Sequence, residues 1–446
     1  MTECQKQVSL FNLSGKSVKV EFSGGMLTSD AGVALLAMAD KKRDLINRIA
    51  TRFHDERVLG RSTHTVEALL RQRIFQIALG YEDCNDANEL RADPALKMAC
   101  GRLPQSGDDL GSQPTLSRFE NCVGWDTLLK LHDLMLDLCL ERLIDRFGGK
   151  LPRRLILDLD STCDPTHGQQ EFTFFNAHYD THMYHPILVT VDKELLGVCL
   201  RPGNVGAAAG VLNWLPHVIA RIRAIRPDCR IRIRGDAGFA SPEMYEFCDA
   251  QDLEFIIGLG TNKVLVEQSI LLQAKAMVGF QQTGRPQKRY SSFDYQAGTW
   301  NKKRHVVVKS EINTLGTNVR FVVHNLRGKL SPKSVYSEDY CGRGRMENNI
   351  KDLKNALRAD RLSCSRFEAN AFRLLLHGFA YILMSEVRDT QAGTELDVAQ
   401  FDTLRLKLLK VAALIEETAR HVWVRVCKSF PRKAEFTRAL ESLSPA

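Results

Sequence analysis

The sequence predicts an α/β fold: a mixed sheet flanked by helices, interrupted by a β-rich segment, with helical regions at both ends. Three observations carry this expectation. From residue 153, short apolar strands follow one another and then alternate with helical stretches. Residues 276–330 switch to the alternation of β-hairpins. On either side, residues 28–145 and the tail from 367 show the apolar spacing of helices. The expected division is 1–150, mainly helical after short leading strands; 151–275, the first part of the core; 276–330, the β-rich segment; 331–366, a helix returning to the core; and 367–446, a helical C-terminal region.

Taken in order, residues 5–25 alternate weakly and end in "SGG", as one or two short strands would. "TVEALLRQRIFQIALG" sets Val66, Leu69, Leu70, Ile74 and Ile77 at helical spacing, with Gly80 as its stop. "SQPTLSRFEN" starts a helix near Pro114, open to two readings: a DNA-reading helix or a packing helix with polar edges. "LLKLHDLMLDLCLERLI" is a second amphipathic helix. Then "RRLILDLDST", "EFTFFN", "YHPILVTVD" and "ELLGVCLRPG" read as strands, and "GAAAGVLNWLPHVIARIRAI" as a helix. "CRIRIRGDAGF" is a strand ending in an acid and a glycine turn. "SPEMYEFCDAQ" is a helix with Ser241 as N-cap and Pro242 in its first position, followed by the strand "LEFIIGLG". After the hairpins the tail reads as helical through "LLKVAALIEE", and "HVWVRV" as a closing strand.

Bulk properties bound the function. The 446 residues allow about two to four structural units. A 44 % hydrophobic content supports real cores and argues against global disorder. Lys and Arg exceed Asp and Glu by eight, a mild basic excess that suits a nucleic-acid partner without requiring one. Twelve cysteines without a Cys-x-x-Cys pair disfavour a zinc ribbon and point to free thiols in a reducing cytoplasm. No apolar run is long enough to cross a bilayer, so no membrane partner is expected.

The chemistry rests on three acids. Asp158 and Asp160 lie two apart on one strand, so they share a face, while Leu155, Leu157 and Leu159 take the other. Acids inside an apolar strand are costly unless paired, metal-bound or at an edge. Asp236 ends the strand "RIRIRGD", where α/β sheets place functional groups, although a turn aspartate reads the same way. Glu347 sits in "YCGRGRMENNIKDLK". On a regular helix, Tyr340, Arg343, Glu347 and Lys354 fall within an arc of roughly 60°, beside an apolar stripe of Ile350, Leu353 and Leu357. Three carboxylates from two strands and a later helix suit hard divalent cations, and two such ions can drive phosphoryl transfer.

With these residues the chain resembles the DDE transposases of bacterial insertion sequences. The spacing of Tyr340, Arg343, Glu347 and Lys354 matches the Tyr-Arg-Glu-Lys signature of the group around insertion sequence four. "LDLDSTCDPTHGQQE", "RGDAGF", "LRQRIFQIALGYEDCNDANELRADPALK" and "SQPTLSRFEN" look more narrowly like insertion-sequence family thirteen-eighty, over roughly residues 18–440. The resemblance implies an RNase H-like catalytic core interrupted by a β-rich insertion. It carries the catalytic, metal-binding acids over to Asp160, Asp236 and Glu347. Asp160 precedes Ser161 and Thr162 as the family's first acid precedes a small residue and Thr, and Asp158 stays open as the alternative. Tyr340, Arg343 and Lys354 carry over as the signature's groups near DNA phosphates. The resemblance further implies two Mg²⁺ ions, with Mn²⁺ as a substitute. It implies double-stranded DNA as partner (terminal inverted repeats and target), a homodimer on DNA, and a cytoplasmic, nucleoid-associated location. The alternatives are a nuclease of the same fold that cuts without joining, and a DNA-binding regulator.

Two side features complete the reading. Trp300, Lys302, Lys303 and Arg304 form either a base-stacking ring beside phosphate-binding cations or a core tryptophan followed by a basic turn. His178, His182 and His185 have metal-like intervals, but a strand or hairpin does not easily bring them together, and zinc wants four converging ligands. The segment 401–446 holds nine Lys or Arg against five Asp or Glu, a modest excess that suits either DNA or solvent.

Overall fold

Eight strands between residues 154 and 324 form one mixed sheet in the computed structural model, which describes residues 7–54 and 62–444. In chain order they are β1 Arg154–Ser161, β2 Ile187–Val191, β3 Glu194–Cys199, β4 Arg230–Gly235, β5 Glu254–Leu259, β6 Gln287–Tyr295, β7 Arg304–Asn313 and β8 Gly316–His324. Their order across the sheet is β3-β2-β1-β4-β5-β8-β7-β6. β1, β4 and β5 run parallel at the centre. β2 and β3 add antiparallel on one side, and β8, β7 and β6 on the other. The sheet belongs to a compact unit of residues 120–382.

Alternation sorts the side chains. Leu155, Leu157 and Leu159 of β1 and Ile231 and Ile233 of β4 point into the main core. There they join Leu136, Leu140 and Leu143 of helix Trp125–Arg146 and Leu215, Val218 and Ile222 of helix Val211–Ile225. Each such fully buried side chain contributes about 1.5–3 kcal/mol. The opposite face collects Ile256, Val307 and Val322, covered by Val335 and Tyr336. The chain leading to Glu347 therefore lies on the face that carries Asp158 and Asp160. Helix Pro242–Ala250 starts as expected, the Ser241 hydroxyl accepting the Met244 N–H at 3.2 Å.

A second compact unit comprises residues 1–119 and 383–446. It holds the hairpin Val8–Leu13/Lys16–Val20, helices Val33–Arg43 and Val66–Leu79, and a small sheet of Leu27–Thr28, Ala413–Glu417 and Val422–Val426. Thr65 caps helix Val66–Leu79, and Gly80, at φ 93°, ends it. Residues 5 and 6 of the expected leading strands, and Cys4, lie outside the described residues.

Three expectations about elements change. Residues 276–283, read as the start of the β-rich segment, are the last turns of a helix, Lys263–Thr283. Asn262 caps that helix and only Gly284, at φ 63°, stops it, so the helix runs past the composition change. The tail's "ALIEE" is a strand rather than helix: it pairs on both sides, with buried Ala413 and Ile415 on one face. The segment around Glu347 is not one regular helix. It passes through a π-helical stretch at Val335–Tyr340, a tight 3₁₀ turn at Cys341–Arg343, an α-helix at Gly344–Lys351 and a second π stretch at Asp352–Ala356. Two glycines weaken the helix there, and the Asp339 carbonyl accepts from Arg234 Nη1 at 2.7 Å. Leu353 and Leu357 are nevertheless buried, as their apolar stripe predicts.

Candidate active site

Both strand acids stand at the C-terminal ends of adjacent parallel strands. Asp160 is the penultimate residue of β1, and Asp236 follows the last residue of β4. Asp236 caps the turn after β4, one carboxylate oxygen accepting the Gly238 N–H at 2.8 Å. Asp160 accepts the Ser161 N–H at 3.0 Å. One guanidinium serves both acids: Arg343 Nη2 lies 2.6 Å from Asp160 and 3.9 Å from Asp236. Burial pushes the Asp160 carboxyl up to about 6; Arg343 opposes the rise, while the charges of Asp236 and then Glu347 add to it. Glu347 is exposed on its helix, and its charge is felt at Asp160. Among the described residues no group of three or more His, Cys, Asp or Glu stands close enough to hold an ion in this arrangement.

Asp158 has a different neighbour. It is 2 % exposed and takes both Nε and Nη2 of Arg234, the latter at 2.7 Å, from the directly opposite position on β4. The same guanidinium holds the Asp339 carbonyl, and the space beside Gly342 is filled by its Nη1. Arg232, one step back on that face, pairs with Glu254 at 2.8 Å and with the Asp339 carboxylate. The two buried arginines thus fasten residues 339–342 to the sheet, just ahead of Arg343 and Glu347.

Tyr340 is half-buried beside Tyr336, with ring centroids 5.6 Å apart. Its hydroxyl stands where a side chain on Gly258 of β5 would have to go, next to the Asp236 backbone. Burial raises its pKa. Lys354 turns inward: its ammonium donates to Thr162 Oγ1 at 3.0 Å and to the Cys163 carbonyl, and lies 3.3 Å from Asp164. It therefore holds the loop that follows Asp160. Burial lifts Asp164 to about 7 against the pull of Lys354.

The stacking reading of Trp300 does not fit its place. Trp300 is 8 % exposed and packs edge-on between Tyr245 and Tyr295, each 5.3 Å away. Arg304 is buried and lies 2.9 Å from Asp249, which Lys302 also reaches at 2.8 Å. Only Lys302 and Lys303 face solvent. Trp300→Ala is expected to lower stability by about 3–5 kcal/mol and to leave DNA affinity per folded molecule unchanged. Chemical denaturation and a DNA-binding titration check the two parts.

The sequence places Arg232 and Arg234 on the strand face of Asp236 without giving them a role, and Asp339 and Gly258 are not singled out by it. The arginines had a signal: "RIRIR" places cations on one face of a strand whose other face is core, and such cations need partners. Gly258 had none that a single sequence reveals.

The family model Transposase DDE domain group 1 matches residues 11–446. No curated protein matches the chain. Among solved structures, the cryo-EM structure of the piggyBac transposase synaptic complex with hairpin DNA is similar at a TM-score of 0.37 and 12 % identity, covering 86 % of this chain and 80 % of that one. Since the family model spans nearly the whole sequence, the chain belongs to the DDE transposases.

Proposed function

We propose that this protein cuts DNA at the terminal inverted repeats of an insertion sequence and joins the freed 3′-hydroxyls to target DNA. Asp160, Asp236 and Glu347 are the catalytic acids. The observation that carries the reading is the meeting of Asp160 and Asp236, on neighbouring parallel strands, at one arginine within the field of Glu347. The strand order supports an RNase H-like core of β1 to β5, with helix Lys263–Thr283 and strands β6 to β8 as an insertion between the second and third acids. The helical N-terminal region is then the natural DNA-binding part.

The donor set is all carboxylate oxygen, the chemistry that hard divalent cations such as Mg²⁺ take, although the three acids would have to draw closer than they stand here to hold an ion. Asp160, Asp236 and Glu347 would hold two such ions; when bound, they would polarise the attacking oxygen and stabilise the leaving one. Arg343 balances the aspartates and offers a guanidinium where a phosphate must approach. Arg232 and Arg234 fix the segment that presents Arg343 and Glu347. Lys354 fixes the loop behind Asp160. Asp158, already committed to Arg234, is left out of the metal set.

A strand-transfer assay tests the proposal, with pre-cleaved element ends, a target plasmid and Mg²⁺. Joined products are expected. Cutting without joining would instead identify a nuclease, and binding alone a regulator. Arg343→Ala is expected to weaken DNA binding per folded molecule and lower the salt slope by about 1. A lowered melting temperature with unchanged binding would make Arg343 purely structural.

A further inference from the structure

Arg201, just beyond β3, is a buried cation, 7 % exposed, and among the described residues no carboxylate pairs with it. Its Nε donates to the His185 carbonyl at 2.8 Å. Its Nη1 turns into the loop ahead of helix Val211–Ile225. There it meets the carbonyls of Ala207 and Ala209, each at 2.8 Å, and of Gly206 at 3.4 Å. Nη2 is buried and donates to nothing. A buried charge without a counter-ion is costly, and burial accordingly pushes Arg201 down to about 10.

The carbonyls drawn inward fix where the loop's N–H groups point. In a trans peptide the C=O of one residue and the N–H of the next face opposite ways. Carbonyls 206, 207 and 209 face Arg201, so the N–H groups of Ala207, Ala208 and Gly210 face away from it. Those three N–H groups have no partner among the described residues. Gly206, Ala209 and Gly210 are exposed, and a Cβ on Gly206 or Gly210 would meet nothing within 4 Å, so the backbone is open. The loop runs into the N-terminus of a 15-residue helix that has no side-chain cap and no acid in its first turn. Outward amides, the positive end of a helix and an uncompensated guanidinium behind them share one demand, an oxyanion.

We propose that residues 206–210 form a phosphate site, a backbone cradle for one phosphodiester of the DNA strand that enters the acid site. Position selects the source of the phosphate. A Cβ on Gly238 would stand 2.7 Å from the Ala207 Cβ, and the Gly238 N–H is the one that Asp236 accepts. The loop therefore packs directly against the Asp236 turn. A strand with its scissile phosphate at Asp160 and Asp236 would carry another phosphate past the cradle. That choice of DNA rests on the function proposed above, whereas the anion site itself does not. The backbone makes the contact, and Arg201 is a positioning residue that holds the amides outward from behind.

Amide NMR of the full chain, isotope-labelled at Ala and Gly, tests the site with inorganic phosphate, without DNA or divalent metal. Millimolar phosphate should shift the signals of Ala207, Ala208 and Gly210 saturably, and chloride at equal ionic strength should not. Gly206→Asp should abolish the response, because its carboxylate can accept the Ala208 N–H as Asp236 accepts that of Gly238. Gly206→Ala should keep it. Gly206 does not hold a positive φ, so both variants should melt as the wild type does. With an element-end duplex and no metal, Gly206→Asp should lower affinity at least about fivefold and the salt slope by about 1, and Gly206→Ala should do neither. Amides that ignore phosphate, or a weak response spread over the whole surface (an adventitious ion only), overturn the site. A phosphate response with duplex affinity unchanged in Gly206→Asp overturns DNA as the source. If strand transfer fails while phosphate still shifts these amides, the proposed function falls and the anion site stands.

Discussion

Glu347→Gln is expected to reduce Mg²⁺-dependent cleavage of element-end DNA by at least about a thousandfold, equivalent to about 4 kcal/mol of lost transition-state stabilisation. Thermal stability should stay within about 0.5 kcal/mol, as for exposed positions without special contacts. The side chain is exposed and its replacement has the same shape, so packing is untouched. What changes is the third negative charge at the strand ends, where Asp160 already registers it. DNA binding should persist, because the arginines and lysines remain. Cleavage and binding assays on one preparation separate these effects, and wild-type cleavage by the variant would remove Glu347 from the site.

The second large effect distinguishes two acids that the sequence leaves equivalent. Asp158→Ala should destabilise the fold by about 3–5 kcal/mol, because it leaves the buried Arg234 guanidinium without its carboxylate, with only the Asp339 carbonyl to accept from it. Its cleavage per folded molecule should stay within a few-fold of wild type. Asp160→Asn should do the reverse. Burial already works against the charged form of Asp160 and offsets the loss of its pair with Arg343, so the melting temperature should change little, while cleavage is lost. Denaturation curves and single-turnover cleavage for the two variants give the comparison. A stable, inactive Asp158→Ala protein would reverse the assignment.

Where side-chain alternation decides placement, the sequence was a good guide. Leu155, Leu157 and Leu159 face the core, so Asp158 and Asp160 had to share the other face. Alternation cannot tell them apart, because the difference is made across the sheet: Arg234 stands opposite Asp158, and no residue of β1 reveals that register. The ends of β1 and β4 were legible for the same reason that Asp236 was. The Glu347 helix was legible only in part. Its signature spacing assumes a constant turn per residue, whereas π and 3₁₀ stretches break the turn before and after Gly344–Lys351. Lys354 thereby faces Asp164 and the loop behind Asp160. Trp300 was misleading because its basic neighbours are local in sequence, while its aromatic partners Tyr245 and Tyr295 come from a separate helix and strand.

The most direct test of the shared acid site is iron-mediated backbone cleavage, with Fe²⁺ and ascorbate in place of Mg²⁺ on the DNA-bound protein. Hydroxyl radicals made at the ion cut the nearest peptide bonds. Cuts clustered around Asp160, Asp236 and Glu347, suppressed together by excess Mg²⁺ and lost in Asp160→Asn, are the predicted result. Cuts confined to other segments, or a pattern unchanged by Asp160→Asn, would contradict it.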